Sequence, residues 1–533
     1  MTVIAPYRSG LTGGSDGFAQ LVRAEWTKFR TVRGWVIGMV VAGLLIVGLG
    51  ALTGSQSQCS SADVTPQNPN PPLVACPPPP AGPGGEWVTD NFYFARQPLA
   101  GNGSITVRVT SLTGLYSATG ALPEGRSPTA GLTRGVQPWS KAGIIVKAGT
   151  APGSAYAAMM VTGSHGVRMQ WDFTHDVAGL AGNVSAASPQ WLRLTRAGDV
   201  ISGYDSADGT HWTVAGTATL AGLPRVTQAG LFAASPGYSV TSASLGGATS
   251  TGGPTLATGA FDHVSRQGAW PAGPWTGDAV GGARLASAVG FGETGGRLTV
   301  TGDGDIAPVA RGSDGAGQTV EHTLAGTFAG LIVVVVIGVM FITAEYRRGM
   351  IRTTFAASPR RGRVLAAKAV VLGAVTFAAG LIAAGVTIPL GEHLLRENGN
   401  PIYPVSAFTE ARIIVGTAAL LALAAVLALA MGTLLRRSAV AVTAVIAGIV
   451  LPYVLAVIAG VLPAAAADWL VGVTPAAAFA IRQSVPAYPQ VTADYTPANG
   501  YFPLAPWAGL AVLCAWTALA LALAAVAVRR RDA

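Results

Sequence analysis

The stretch EYRRGMIRTTFAASPRRGR (345–363) places six arginines in a 533-residue chain that is 50% apolar and only 11% charged. Two nearly uncharged runs flank it, LAGTFAGLIVVVVIGVMFITA (324–344) and VLAAKAVVLGAVTFAAGLIAAGVTI (364–388). Each is long enough, as a helix, to cross a hydrocarbon core of about 30 Å, which takes about 20 apolar residues. Positive charge concentrated between two such runs marks a loop kept on the cytoplasmic side. The stretch therefore reads as the point where the chain leaves a membrane and turns back into it.

Four further runs have the same character, near 34–52, 411–434, 439–462 and 507–528. The mean hydropathy of the whole chain is +0.45. The fold class expected is an α-helical membrane protein with six transmembrane helices and a large insertion. The first run follows 33 residues that lack a signal-peptide layout, so it reads as a retained helix. Lys and Arg at the helix ends set the orientation. Arg8, Arg23, Lys28, Arg30 and Arg33 fall on one side, with the six loop arginines, Lys368, Arg436, Arg437, Arg529, Arg530 and Arg531. The opposite short connections hold only Arg396, Arg412 and Arg482, beside several acids. Both termini are thus expected in the cytoplasm, and 53–323 outside the cell. A seventh apolar segment, PAAAADWLVGVTPAAAFAI (463–481), would reverse the tail if it spanned the membrane. It is read as a re-entrant or interfacial hairpin. Lys368, close to a helix end, is read as snorkelling to the surface.

Residues 1–33 form a cytoplasmic segment. Within it, GFAQLVRAEWTKFRTVR (17–33) sets Phe18, Leu21, Val22, Trp26, Phe29 and Val32 at helical spacing, with Arg23, Lys28, Arg30 and Arg33 around the rest. That is the pattern of an interfacial helix lying on anionic lipid. Glu25, Trp26, Lys28, Phe29 and Arg30 are its candidate functional residues. The net charge of +9 belongs to this membrane part, since 53–323 carries 14 basic against 16 acidic residues. Basic residues that flank apolar runs do not form a nucleic-acid face, and no nucleic-acid partner is expected.

Residues 53–86 are a Pro/Ser-rich linker containing Cys59 and Cys76. Outside the membrane these favour a disulfide over two free thiols, and no metal site, since no histidine lies near them. From 87 to 265, short alternating strands and turns argue for an antiparallel sandwich; 266–323 is a Gly-rich return segment. WSKAGIIVKAG (139–149), SAYAAMMVT (154–162), WLRLTRAGD (191–199), YDSADGTHW (204–212) and AGLFAAS (229–235) together resemble a concanavalin-like jelly roll. That resemblance implies a possible cell-surface carbohydrate ligand. Trp171, Trp191 and Trp212 are alternatively fillers of the sandwich core. Glycoside hydrolysis needs two placed carboxylates, and the four glutamates Glu86, Glu124, Glu293 and Glu321 form no such pair. Asp303 and Asp305, in TGDGDIAP, are read as turn residues in preference to a cation site.

AEWTKFRTVRGW before the first span resembles the connecting helix of type-2 ABC exporter permeases. EYRRGMIRTTFAASPRRGRVLAAKAVV is similar to their loop between the second and third spans, and MGTLLRRSAVAVTAVIAGIVLPYVL, with Pro452, to their fifth helix. The resemblance covers 17–52 and 324–533. It implies a permease coupled to a separate ABC ATPase subunit, paired with a second permease copy or homologue. Glu345, Tyr346, Arg347, Arg348, Arg352, Arg360, Arg361 and Arg363 would then be the coupling residues, with Glu345 anchoring the loop. No cofactor is expected on this chain; ATP and Mg would sit on the partner subunit. A phosphate loop ends in Gly-Lys-Ser/Thr, whereas Lys28, Lys141, Lys147 and Lys368 follow Thr, Ser, Val and Ala. No catalytic residue is expected. The rival readings are a membrane-anchored sensor or adhesin, and a membrane-embedded enzyme.

Overall fold

Among the described residues, six helices are long and apolar enough to cross a membrane, and their order along the chain sets up everything else. The computed structural model describes residues 17–61, 74–118, 129–244, 247–311, 317–357, 360–457 and 462–530. Its α-helices are α1 (Phe18–Thr31), α2 (Arg33–Gln56), α3 (Thr327–Arg347), α4 (Met350–Ala357), α5 (Arg361–Glu397), α6 (Ala407–Leu435), α7 (Ser438–Val457), α8 (Ala464–Val473) and α9 (Pro506–Arg530). The spans are α2, α3, α5, α6, α7 and α9. α3 and α6 are the most enclosed, and Val334, Val335, Leu420, Ala424, Ala425 and Ala428 fill the bundle centre. Small side chains allow close approach of helices: a Cβ on Gly338 would meet the Ala425 carbonyl oxygen at 2.5 Å.

α5 exceeds expectation. It runs 37 residues, about 55 Å at 1.5 Å per residue, and so continues past the expected end at 388 through Pro389 to Glu397. The polar face of Glu392 and Arg396, joined at 2.8 Å, suits the part that outruns the apolar core. The 463–481 segment is bent: α8 and the 3-10 helix Pro475–Arg482 meet at 97°. Trp469 on the first limb is exposed, whereas every residue of the second limb is buried. The proline at its head, Pro475, lacks the N–H that a continuing helix needs.

Between α2 and α3 stand two stacked antiparallel sheets. One runs in the order 175–178, 167–171, 156–162, 141–147, 226–234, 92–100, 276–280; the other 213–219, 200–206, 190–197, 103–116, 255–268, 297–302, 290–294. Ile105, Val107, Ile144, Met159, Leu192, Leu194, Leu231 and Val300 meet between them. The strands Lys141–Lys147 and Tyr156–Thr162 are buried throughout, because their second face is covered by Val88, Phe92 and Ile306. The buried lysines on that face are paired: Lys141 Nζ with Asp305 at 2.5 Å, Lys147 Nζ with Asp90 at 2.6 Å. Burial pushes the Asp90 carboxyl up and the Lys147 ammonium down from their ordinary values.

Three expectations need revision here. The sandwich does not close at 265, because Thr276–Val280 pairs with Phe92–Ala100, and Arg297–Gly302 with Thr255–Gly268. Alternating Leu298 and Val300 point inward while Gly295 and Gly296 make the turn, so the Gly-rich return is itself sheet. Trp191 and Trp212 do not fill the core: Trp191 alternates away from Leu192 and Leu194 and lies under the Arg108 guanidinium at 5.6 Å, and Trp212, just before the strand 213–219, lies under that of Arg193 at 3.8 Å. Asp303 is a buried acceptor for the Leu285 N–H, and Asp305 is the partner of Lys141.

The sandwich is fastened to the bundle rather than tethered to it. The Trp87 ring lies 4.7 Å from Tyr403, the Tyr403 hydroxyl donates to Ala310 O, the Tyr501 hydroxyl accepts from the Arg311 N–H, and the Gln490 amide donates to Phe173 O. Cys59 and Cys76 are joined by a disulfide, and the Cys59 N–H donates to Asn398 O. Closing a loop of 17 residues contributes about 3 kcal/mol in the chain-entropy account. Reduction is expected to lower the melting temperature without changing the oligomeric state, as calorimetry with and without a membrane-permeant reductant would record.

Candidate coupling site

At the end of the bundle away from the sandwich, three elements meet over four charged side chains. α1 precedes the first span and lies across α5. About 100° per residue puts Glu25 between Leu21 and Phe29, in the middle of the apolar face. The structure shows the consequence: Glu25 and Phe29 are both buried, at 3% exposure, whereas Trp26 and Phe18 are exposed. α1 thus has two apolar edges, one packed into the protein through Phe29 on Phe341 (5.9 Å) and one left for lipid.

Glu25 accepts from Lys28 through one oxygen and from Lys368 through the other, each at 2.7 Å. Glu345, in the last turn of α3, accepts from Lys368 at 2.7 Å and from Lys28 at 3.3 Å through a single oxygen. Two carboxylates and two ammonium groups therefore cancel in one closed set. Lys368 is completely buried, and Phe341 offers its ring face to the ammonium at 4.8 Å. Lys368 does not snorkel: about 10 Å into α5, its amine finds three partners inside the protein and has no need of the surface. Lys28 is the half-exposed member; burial draws its pKa down, but bonds and charge from Glu25 and then Glu345 outweigh this and hold it above the ordinary value.

The opening arginines divide by role in the geometry. α3 stops at Gly349, whose φ of +67° breaks the helix, and α4 starts immediately with Ile351 buried. Tyr346 lies under the Arg436 guanidinium at 5.1 Å. Arg361 donates to Val528 O at 3.2 Å, pinning the start of α5 to the end of α9. Arg347, Arg348, Arg360 and Arg363 are exposed, as is Arg30 on α1. Arg360, Arg361, Arg363 and Arg529 line one basic cleft. The side chain of Arg352, and Arg8 and Arg531, lie outside the described residues. Sequence reading named Glu25, Lys28 and Glu345 separately and missed that Lys368 binds them together. The available signal was a lysine two turns inside an otherwise bare apolar run, which needs a partner.

Among the described residues no group of His, Cys, Asp and Glu could hold a metal ion. The chain has low-level structural likeness to a functionally unknown protein from Saccharomyces cerevisiae (18% identity, 34% of this chain, 76% of that one, TM-score 0.20). It has likeness also to a scytalido-glutamic peptidase (8% identity, 42% of this chain, 100% of that one, TM-score 0.23). At TM-scores this low neither implies a fold or an activity. No curated protein matches the chain. The family model described as ABC-2 family transporter protein matches residues 187–533, which takes in the last five spans, α4 and two of the four clustered charges, Glu345 on α3 and Lys368 on α5. A six-span bundle with a basic, charge-fastened loop after its second span is thus matched by family over more than half its length, and the chain belongs to the ABC-2 family of transporter proteins.

Proposed function

We propose that this chain is the permease subunit of an ATP-driven exporter, and that residues 345–363 with residues 17–33 form the surface on which a separate ABC ATPase docks. The observation that carries the reading is the charge set of Glu25, Lys28, Glu345 and Lys368. It locks the interfacial helix α1 to the ends of α3 and α5, so a push on the exposed arginines would move three elements together. ATP and its magnesium would be held by the partner, consistent with the lack of any Gly-Lys pair here. The arginine excess at this end favours a cytoplasmic face, with the sandwich outside. A second copy or homologue would complete the transporter, and the sandwich would meet a cell-surface ligand such as carbohydrate.

Orientation and docking are tested in one strain. In a Cys514→Ser background, an impermeant thiol reagent should label Thr217→Cys on intact cells and leave Arg530→Cys untouched. A photo-cross-linking residue at Arg348 should capture an ATP-binding subunit, and the same residue at Trp191 should not. Labelling of Arg530→Cys from outside would overturn the orientation, and capture of no nucleotide-binding protein at Arg348 would overturn the docking surface.

A further inference from the structure

At the sandwich-facing end of the bundle lies a cavity of about 190 Å³ that none of the coupling residues touches. Its inner wall is aromatic. Phe328 on α3, Tyr453 on α7 and Phe502 line it, with the Phe328 and Tyr453 ring centroids 5.0 Å apart and Phe502 6.3 Å from Tyr453, while Phe479, on the buried limb after α8, backs the first two rings at 4.8 Å. Arg482 projects among these rings, its guanidinium carbon 5.3 Å from Phe328 and 5.0 Å from Phe479. Arg482 is only 7% exposed, and its Nε has no hydrogen-bond partner. One of its terminal nitrogens reaches the Leu324 carbonyl oxygen, at 3.4 Å.

The rim carries Arg311 and Glu321, 3.8 Å apart, and Glu321 also accepts from the Ser484 hydroxyl. Glu321 is therefore occupied at the rim, and among the described residues Arg482 forms no salt bridge. Among the described residues lining the cavity, two guanidinium groups face one carboxylate, a net positive charge. Ring faces offset part of the cost of a buried cation, but a donor without an acceptor keeps its full desolvation penalty. An oxygen of a carboxylate or phosphate would remove that penalty and balance the charge.

We propose that this cavity binds the anionic head of an amphiphile, with Arg482 on the head and Phe328, Tyr453 and Phe502 along the start of an alkyl chain. The cavity falls below the volume of a drug-sized site, so the rest of the tail would stay in the bilayer. If the chain is a permease, as proposed above, this names its substrate class.

The test uses the full chain in zwitterionic nanodiscs without any ATPase, so that failure of the site and failure of the permease reading stay separate. Dodecyl phosphate, dodecanol and inorganic phosphate are titrated by calorimetry. Saturable binding of one dodecyl phosphate per chain is expected, with dodecanol and inorganic phosphate each weaker by about tenfold or more. Arg482→Gln should lose about tenfold or more as well. Tyr453→Leu, which keeps the cation, should weaken dodecyl phosphate and leave inorganic phosphate unchanged, so the proposal survives a folding failure of the arginine variant. Equal binding of inorganic phosphate would make this an anion site only, and equal binding of dodecanol an apolar one; either result, or unchanged affinity in folded Arg482→Gln, overturns the proposal. If dodecyl phosphate binds as expected but no ATPase is ever captured at Arg348, the site stands and the docking surface proposed above falls.

Discussion

Lys368→Met is expected to lower stability by about 3–5 kcal/mol, the cost of removing one partner from a buried ionic set. The variant leaves Glu25 and Glu345, 3% and 8% exposed, sharing the single cation Lys28. Methionine fills much of the same volume, so the loss reports charge and not a cavity. Adding Glu345→Gln to Lys368→Met restores one cation to one carboxylate, Lys28 with Glu25 at 2.7 Å, and should recover most of the loss. Lys28→Met should cost less than Lys368→Met, because water already reaches the Lys28 side chain, which is 42% exposed. Thermal unfolding in one detergent, followed by the same probe for all variants, checks the series. A folded Lys368→Met with wild-type melting temperature would refute the buried-pair account. A double variant no better than the single one would show that packing around α5, not charge balance, holds the three elements.

What could be read from the sequence follows from which physical signals are local. Span positions rest on length and hydropathy, so α2, α3, α6, α7 and α9 lie near their expected runs. The end of α5 was not legible, because the apolar signal stops near 388 while the helix continues on Glu392 and Arg396, as helices do outside the bilayer. The sandwich was legible where apolar and polar residues alternate. It was not at 276–302, where glycine conceals two inward side chains, Leu298 and Val300. The face of Trp191 depended on strand register, which composition does not set.

The charge set shows the same limit from the other side. Glu25 and Lys368 are separated by 343 residues, and nothing local to either says that they meet. What was local, an acid on an apolar helix face and a base inside an apolar run, are two costs that only a fold can cancel. Arg482 is a third such residue, and the structure supplies aromatic rings but leaves its Nε without an acceptor. Sequence alone could flag all three as needing partners; only the packing distinguishes the satisfied from the unsatisfied.

Moving two arginines along the coupling loop should separate charge retention from recognition. The structure shows which residues such a variant must spare: Tyr346 lies under Arg436, Ile351 is buried, and Arg361 holds Val528 O. Arg347 and Arg348 are exposed and free to move. The variant Arg347→Thr, Arg348→Thr, Thr353→Arg, Thr354→Arg keeps composition and net charge while shifting the charge from the end of α3 onto α4. Orientation depends on the number of basic residues near a helix end, so insertion and melting temperature should match the wild type. A docking surface depends on which group meets which partner charge, so copurification with the ATPase and stimulated ATP turnover should fall on the order of tenfold. Arg347→Lys with Arg348→Lys, leaving position unchanged, should lose less than the shifted variant. If the shifted variant binds and stimulates as the wild type does, Arg347 and Arg348 serve orientation alone, and the force of ATP closure must enter through α1 or the cleft of Arg360, Arg363 and Arg529.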